Sequence, residues 1–293
     1  MFIATLIAAD CLRAGDISHG LDLLRMIGCD ALNSQWIEAE TAADIHFTGD
    51  VNAARHVLES GLGPIDVIVQ RTSERHRSLI VADMDSTMIT VECIDELADY
   101  AGIKPEIAAV TERAMRGELD FEEALRSRVA LLKGLPETAI AACLAERVKI
   151  MPGAKALVRT VKAKGGHAVL VSGGFTRFAD PVAEEIGFDR AVANRLGIAN
   201  GALTGIVEGA IVGAATKREA LFSMLEQTGS SVEQSLAIGD GANDIPMIEV
   251  AGLGVAYHAK PKTAAAAAAK IAHNDLSALL FAMGYPRSSW VMD

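Results

Sequence analysis

Val81-Ala82-Asp83-Met84-Asp85-Ser86-Thr87-Met88-Ile89-Thr90-Val91-Glu92 is the stretch on which the fold turns. The apolar run from Leu79 to Ala82 reads as a buried strand with two carboxylates at its end. In an extended chain, residues two apart point the same way, so Asp83 and Asp85 reach one site. Two acids outside water are costly unless a cation, a proton or hydrogen bonds compensate. Ser86 and Thr87 follow where the strand turns into a loop. Taken alone, the stretch is as readily an acidic loop at a strand end.

Three further elements change that balance. Val169-Leu-Val-Ser172-Gly173-Gly174-Phe175 is a second apolar run, ending in a hydroxyl and two glycines. Glycines let backbone N–H groups approach an anion closely, and Ser172 adds a hydroxyl donor. Lys217 opens a helical pattern that runs through Leu225. Ser235-Leu-Ala-Ile-Gly-Asp240-Gly-Ala-Asn243-Asp244 brings another apolar strand to an acidic, glycine-containing end. Singly, these are a strand-to-helix turn, a surface lysine and an Asp/Asn/Gly turn.

In this order the four elements resemble the motifs of the haloacid dehalogenase superfamily, and most specifically its phosphoserine phosphatases. The resemblance covers about residues 76–293, with Ala82 standing where the family often carries an aromatic residue. It implies a Rossmann-like parallel sheet, a helical cap over the site, and phosphoryl transfer to a carboxylate.

Organisation along the chain agrees. From Leu79 onward short apolar strands alternate with helices, which argues for a parallel sheet covered on both faces. The interval from Glu92 to Val148 is almost entirely helical: 92–101, 105–116, 121–132 and 137–147. An insertion directly after the first strand should sit over that strand's carboxyl end, as the family's cap does. Asn194 to Gly213 carries Asn200-Gly201 between alternating residues and reads as a β-hairpin. The first seventy residues have a β-α-β-β-α-β order, the ferredoxin-like pattern, similar to ACT regulatory domains. The expected division is an ACT-like domain over 1–72 and a phosphatase domain over 73–293, with a cap at about 92–148. The polar segment Arg71–Arg77 reads as a solvated linker, and the alanine-rich run Thr263–Lys270 as a helix. On this division, residues 1–70 are dispensable for chemistry and available for regulation or for homodimerisation through an open edge strand.

The formal charge of −11 argues against nonspecific nucleic-acid binding. A phosphate ester must then be met by local cations, a metal plus Lys217. Cys11, Cys29, Cys93 and Cys143 form no Cys-x-x-Cys pair, which suits a reduced, cytoplasmic protein. Cys93 adjoins the acids but reads as a packing residue. The apolar start lacks a basic segment and meets Asp10 too soon for a signal peptide, and no stretch is long enough to span a bilayer.

The resemblance also implies roles. Asp83 is the nucleophile and Asp85 the acid and base. Mg²⁺ suits an oxygen-rich site without soft ligands, and its ligands by resemblance are the Asp83 and Asp240 carboxylates and the Asp85 carbonyl. Ser172, Gly173 and Lys217 bind phosphoryl oxygens, while Asn243 and Asp244 belong to the surrounding shell, Asp244 orienting Lys217 or a metal-bound water. In the cap, Glu92 meets an ammonium and Arg128 a carboxylate, because a guanidinium can bind both carboxylate oxygens. Arg126 lies two positions from Arg128, so both cannot point inward from one helix. Met115 and Phe121 flank the substrate stem. Without the family, Glu92 and Arg128 are surface charges and Met115 and Phe121 core residues. The expected reaction is hydrolysis of O-phosphoserine, the last step of serine synthesis. The alternatives are a phosphatase of another small ester such as phosphohomoserine, or a non-catalytic amino-acid sensor.

Overall fold

In the computed structural model the chain is described over residues 1–116 and 118–292, without the side chain of Met115. The front unit runs β1 (Phe2–Ala8), α1 (Ala14–Met26), β2 (Asp30–Glu38), β3 (Ala42–Thr48), α2 (Val51–Gly61) and β4 (Ile65–Arg71). Its sheet has the order β2-β3-β1-β4 and is antiparallel throughout. That is the ferredoxin-like arrangement. Alternation along β1 serves two masters. Ala4, Leu6 and Ala8 pack among the residues of α1 and α2, whereas Ile7 joins the core of the rest of the chain together with Ala42 and Ile68.

The second sheet has the order β11-β10-β9-β5-β6-β7-β8. At its centre β5 (Leu79–Ala82) lies between β6 (His167–Phe175) and β9 (Ser235–Gly239), parallel to both. Leu79 and Val81 face one core and Ile80 and Ala82 the other, which is why the strand reads as an unbroken apolar run. Between β5 and β6 come the cap helices α3 (Cys93–Tyr100), α4 (Lys104–Met115), α5 (Phe121–Leu131) and α6 (Thr138–Arg147), then α7 (Ala154–Ala163). After β6 follow α8 (Thr176–Ile186), the hairpin β7 (Arg190–Ala199) and β8 (Ala202–Glu208), α9 (Ala214–Thr228), β9 and α10 (Ile245–Ile248). The chain closes with β10 (Leu253–Tyr257), α11 (Pro261–Ala266), β11 (Ala269–Ile271) and α12 (Ala278–Ala282).

The hairpin turns at Asn200 and Gly201, both with positive φ as an Asn-Gly turn requires. Its tip supports the cap: Gly134 N–H donates to Leu203 O at 2.8 Å, and Glu137 N–H to Gly201 O at 2.9 Å.

Two expectations are corrected. The 71–77 segment is not a solvated linker. Arg77 is 4% exposed and donates to Gln70 Oε1 and Glu233 O, each at 2.8 Å. Arg75 pairs with Asp44 at 2.7 Å and donates to the Phe281 and Ala282 carbonyls. Basic side chains chosen for reach, not for solvation, pin the front sheet to α12 and to the segment before β9. The alanine-rich run is a helix only to Ala266; Ala269 and Lys270 enter β11, paired in parallel with β10. There the open edge of β10 outweighs alanine's helix preference. No helix among the described residues is long and apolar enough to cross a membrane.

Candidate functional site

Because β5, β6 and β9 are parallel and in register, Ala82 lies beside Leu170 and Ile238, and the residues that follow all emerge at one edge. Asp83, the Ser172 turn and Asp240 are thereby neighbours without being close in sequence. Asp83 N–H still donates to Ile238 O at 3.0 Å, so the ladder carries on to the first carboxylate. The chain then turns within one step: the Thr87, Met88 and Ile89 amides all return to Met84 O. Ser86 holds a left-handed φ of 55°, a conformation that costs a non-glycine residue about 1 kcal/mol or more. In that position its hydroxyl donates to Glu92 Oε1 at 2.7 Å.

Lys217 is wholly buried, reached from the first turn of α9, with its ammonium 2.5 Å from Asp83 Oδ1 and 2.6 Å from Asp244 Oδ1. Burial works against its charge, but the two carboxylates outweigh burial and hold the proton more firmly than in water. Both oxygens of Asp244 are committed, Oδ1 to Lys217 and Oδ2 to the Gly241 N–H at 2.9 Å. Burial, then the Asp244 charge, push Asp83 well above the usual carboxylate range against the pull of Lys217.

Asp85 is held differently. Oδ1 accepts the Cys93 N–H at 3.0 Å, and Oδ2 lies 3.5 Å from the Ser172 hydroxyl. Burial, followed by the charge of Glu92, raises its pKa to about 6. A Cβ on Gly174 would stand 2.7 Å from Asp85 Oδ2, so a larger residue there would displace the acid. The Gly174 N–H donates to Ser172 Oγ at 2.8 Å. Burial also drives the Cys93 thiol far above its ordinary range, consistent with packing and not nucleophilic chemistry.

These groups border a cavity of about 440 Å³. The core side presents Asp83, Asp85, Gly173, Asp240 and Asn243; the cap side presents Glu92, Phe121 and Arg128. The ring of Phe121 stands over Gly173 and Gly213, closing cap on core. Arg128 is half-buried at the cavity while Arg126 is exposed beside Glu122, as their spacing required. Burial lowers the Arg128 pKa, with Asp95, Glu92 and Asp85 opposing. Ser172 and Lys217 lie directly behind this lining. The contact expected of the Met115 side chain lies outside the described residues.

Asp83, Asp240 and Asp244 can each offer an oxygen within 4.8 Å of the others. Burial, then the charges of Asp244 and Glu92, raise Asp240 to about 6. An all-oxygen cluster with uncompensated negative charge fits a hard divalent cation. Since Asp244 is occupied by Lys217 and Gly241, Asp83 and Asp240 are the carboxylates left for it. Thr87 Oγ1 donates to Asp240 Oδ1 at 3.4 Å.

Sequence reading missed Asn194. It is 1% exposed, donates to Gly173 O and accepts the Val212 N–H, each at 2.8 Å, and so braces the glycine turn. Its place inside a hairpin strand gave no signal of this. Lys260, which also lines the cavity, was missed as well.

The haloacid dehalogenase-like hydrolase family matches residues 80–249. The chain is 50% identical over 189 residues to a phosphoserine phosphatase of Vibrio cholerae, covering 64% of this chain and 57% of that protein. It is 48% identical over 207 residues to one from Albidiferax ferrireducens, covering 69% of this chain and 87% of the relative. A crystal structure described as a probable phosphoserine phosphatase from Vibrio cholerae superimposes with a TM-score of 0.79 at 34% identity, over 98% of this chain and 88% of that one. The chain spans between half and two thirds of the length of several of the curated relatives it matches.

Proposed function

This chain belongs to the haloacid dehalogenase-like hydrolase family, and on that premise we propose that it hydrolyses O-phospho-L-serine to L-serine and phosphate, the last step of serine synthesis. One observation carries the reading: a single cavity has a buried carboxylate–lysine pair on its core side and side chains of opposite charge, Glu92 and Arg128, on its cap side. Phosphoserine has the same layout, a phosphate at one end and an ammonium and a carboxylate at the other.

Asp83 attacks phosphorus in line with the serine oxygen. The bond from its carboxylate to phosphorus forms as the bond to serine breaks, giving an aspartyl-phosphate. Asp85 gives its proton to the departing alkoxide, and a pKa of about 6 keeps part of it protonated near neutrality. Water then attacks the intermediate and yields its proton to Asp85; phosphate leaves and Asp83 is regenerated. Lys217 holds Asp83 by one oxygen and, with Ser172 and the Gly173 N–H, faces the phosphoryl oxygens. Mg²⁺, held by Asp83, Asp240 and the Asp85 carbonyl, would supply positive charge against the phosphoryl group. Asp244 keeps Lys217 in place, and Asn243 completes the phosphate end of the cavity. Glu92 receives the ammonium, Arg128 the carboxylate, and Phe121 covers the stem; the Met115 contact belongs to the same proposal.

The intact Asp83, Asp85, Lys217 and Asp240 favour this enzyme over a non-catalytic sensor. A cytoplasmic location, suited to four unpaired cysteines, and a homodimer through the exposed edge of β2 are parts of the same proposal, as is the division at about residue 72.

The test is a panel of phosphate esters assayed with Mg²⁺: phosphoserine, phosphohomoserine, phosphoethanolamine and an ester with a carboxylate but no ammonium. Phosphoserine should show the highest kcat/KM, with losses on removing either group. A flat panel would sink the substrate assignment and leave a general phosphomonoesterase.

A further inference from the structure

Asp66 is a buried carboxylate outside the cavity lining, and its surroundings are unusual. It is 3% exposed, and its two oxygens accept the N–H groups of Ala272 (2.8 Å), His273 (3.2 and 3.3 Å) and Asn274 (2.9 Å) and the Asn274 side-chain amide (2.8 Å). Among the described residues it has no ion-pair partner, so neutral N–H donors, three peptide and one side-chain amide, are what its oxygens meet. The Asn274 amide also donates to Ile7 O at 3.1 Å. The 272–274 turn is therefore fastened to β1 and β4 of the front unit.

The turn in turn holds His258. The His258 imidazole Nε2–H donates to Asn274 O at 2.9 Å, and its own N–H to Ile271 O at 2.8 Å. His258 carries a left-handed φ of 42°, which a non-glycine residue keeps only when its surroundings enforce it. That bend takes the chain from the end of β10 to Lys260, whose N–H reaches Asp240 O at 3.3 Å and whose side chain lines the cavity.

Lys260 is exposed and has no ion pair among the described residues. Lys217 lies behind Asp83 and Arg128 belongs to the cap, so Lys260 is the cation that the core presents at the cavity opening among the described residues. The cavity is lined by Asp83, Asp85, Glu92 and Asp240, in a chain of charge −11. An incoming phosphate dianion meets that negative field first. A cation at the rim offsets it and draws the phosphate end toward the core side.

We propose that Lys260 is a further substrate-recruiting residue of this site, and that the front unit holds it at the rim through Asp66, Asn274 and His258. Asp66 is thus a positioning residue acting across the two sheets. The inference rests on the phosphomonoester reading above.

The experiment is steady-state kinetics of the full chain with Mg²⁺ over a range of ionic strength. Lys260→Ala should raise KM for phosphoserine about ten-fold at low salt, with kcat within about two-fold of the parent. The difference should close at high salt, because exposed charges are screened, and Lys260→Arg should restore KM. Asp66→Asn should raise KM in the parent, yet add nothing in the Lys260→Ala background. His258→Ala, a break at an exposed position, should behave as Asp66→Asn does and serves if that variant fails to fold. An unchanged KM in Lys260→Ala overturns the proposal, as does an Asp66 or His258 effect of equal size with and without Lys260. If the parent does not hydrolyse phosphoserine, the substrate reading fails. The same variants are then measured on p-nitrophenyl phosphate, which shares the phosphate end that Lys260 attracts.

Discussion

Asp83 and Asp85 leave the same strand end two positions apart, but their partners give them different chemistry. Asp83 is paired with an ammonium, which pulls toward the anion against the burial and the Asp244 charge that raise its pKa. Asp85 has no ammonium beside it; burial and then the charge of Glu92 outweigh its one backbone donor and favour a carboxyl that keeps its proton. Asp85→Asn should therefore lower kcat on phosphoserine by about 10²–10⁴-fold. On p-nitrophenyl phosphate, whose leaving group needs no proton, the first step should survive and phosphoenzyme should accumulate. Stopped-flow detection of a nitrophenolate burst checks this, and equal loss of the first step on both esters would remove Asp85 from the acid role. The raised pKa values also fix a sign for metal linkage. Asp85 and Asp240 hold protons up to about 6 when folded, against 3.8 ordinarily. Without metal, their contribution to stability is greatest below the unfolded value and falls as pH rises through about 6. A cation needs Asp240 ionised, so the rise in Tm on adding Mg²⁺ should grow as pH rises from roughly 4.5 to roughly 7, across the folded titration at about 6. Melting curves with Mg²⁺ and with chelator measure the difference directly.

At the scale of elements, the proposed choice of substrate rests on α5, which lines the cavity from the cap side. Asp120 caps it, accepting the Glu123 N–H at 2.8 Å while Glu123 returns to the Asp120 N–H. The start of this helix then presents Phe121 over the glycines, and Arg128, about two turns further on, lies at the cavity. Arg128→Ala should weaken kcat/KM for phosphoserine about a hundred-fold, while an ester lacking a carboxylate changes little. Equal losses on the two esters would mean that Arg128 supports the cap and does not read the substrate. The pattern of helices in the cap was legible because its apolar residues recur at helical spacing, and α5 also begins at a side-chain cap. The Thr263–Lys270 run was misread because its propensity is local, whereas the edge of β10 that captures Ala269 is not.

At the scale of the whole molecule, the front unit is bound into the rest of the chain. Gln70 donates to Ala282 O at 2.8 Å, Arg55 to Ala267 O at 2.8 Å, and Lys270 pairs with Glu59 at 2.8 Å. Ile7, Ala42 and Ile68 belong to the same apolar cluster as Ile80, Leu279 and Phe281. A chain beginning at Arg77 would leave that face of the cluster in water and the 272–274 amides without Asp66. Such a chain is expected to melt at least about 5 °C lower than the parent, since each lost kcal/mol shifts Tm by ~2–4 °C at this size. It should also bind a hydrophobic dye. Calorimetry and dye fluorescence decide it; a truncated chain with unchanged Tm and unchanged kcat/KM would show two independent modules.

By itself, the order of residues determined the strand that carries Asp83 and Asp85, the helical cap from about 92 to 148, and the front β-α-β-β-α-β unit. Each depends on periodicity and turn chemistry within one segment. The link between Lys217 and Asp244 was legible only through motif order, and the contact of Lys217 with Asp83 only in the structure, since the three lie on different elements. Tertiary structure alone decided that Arg75 and Arg77 are buried fasteners, that Asn194 braces the glycine turn, and that Asp66 reaches the cavity's Lys260 limb through Asn274 and His258. The physical reason is common to all of them. A polar side chain's role is set by the donor or acceptor it meets, and those partners lie between 7 and more than 200 residues away along the chain.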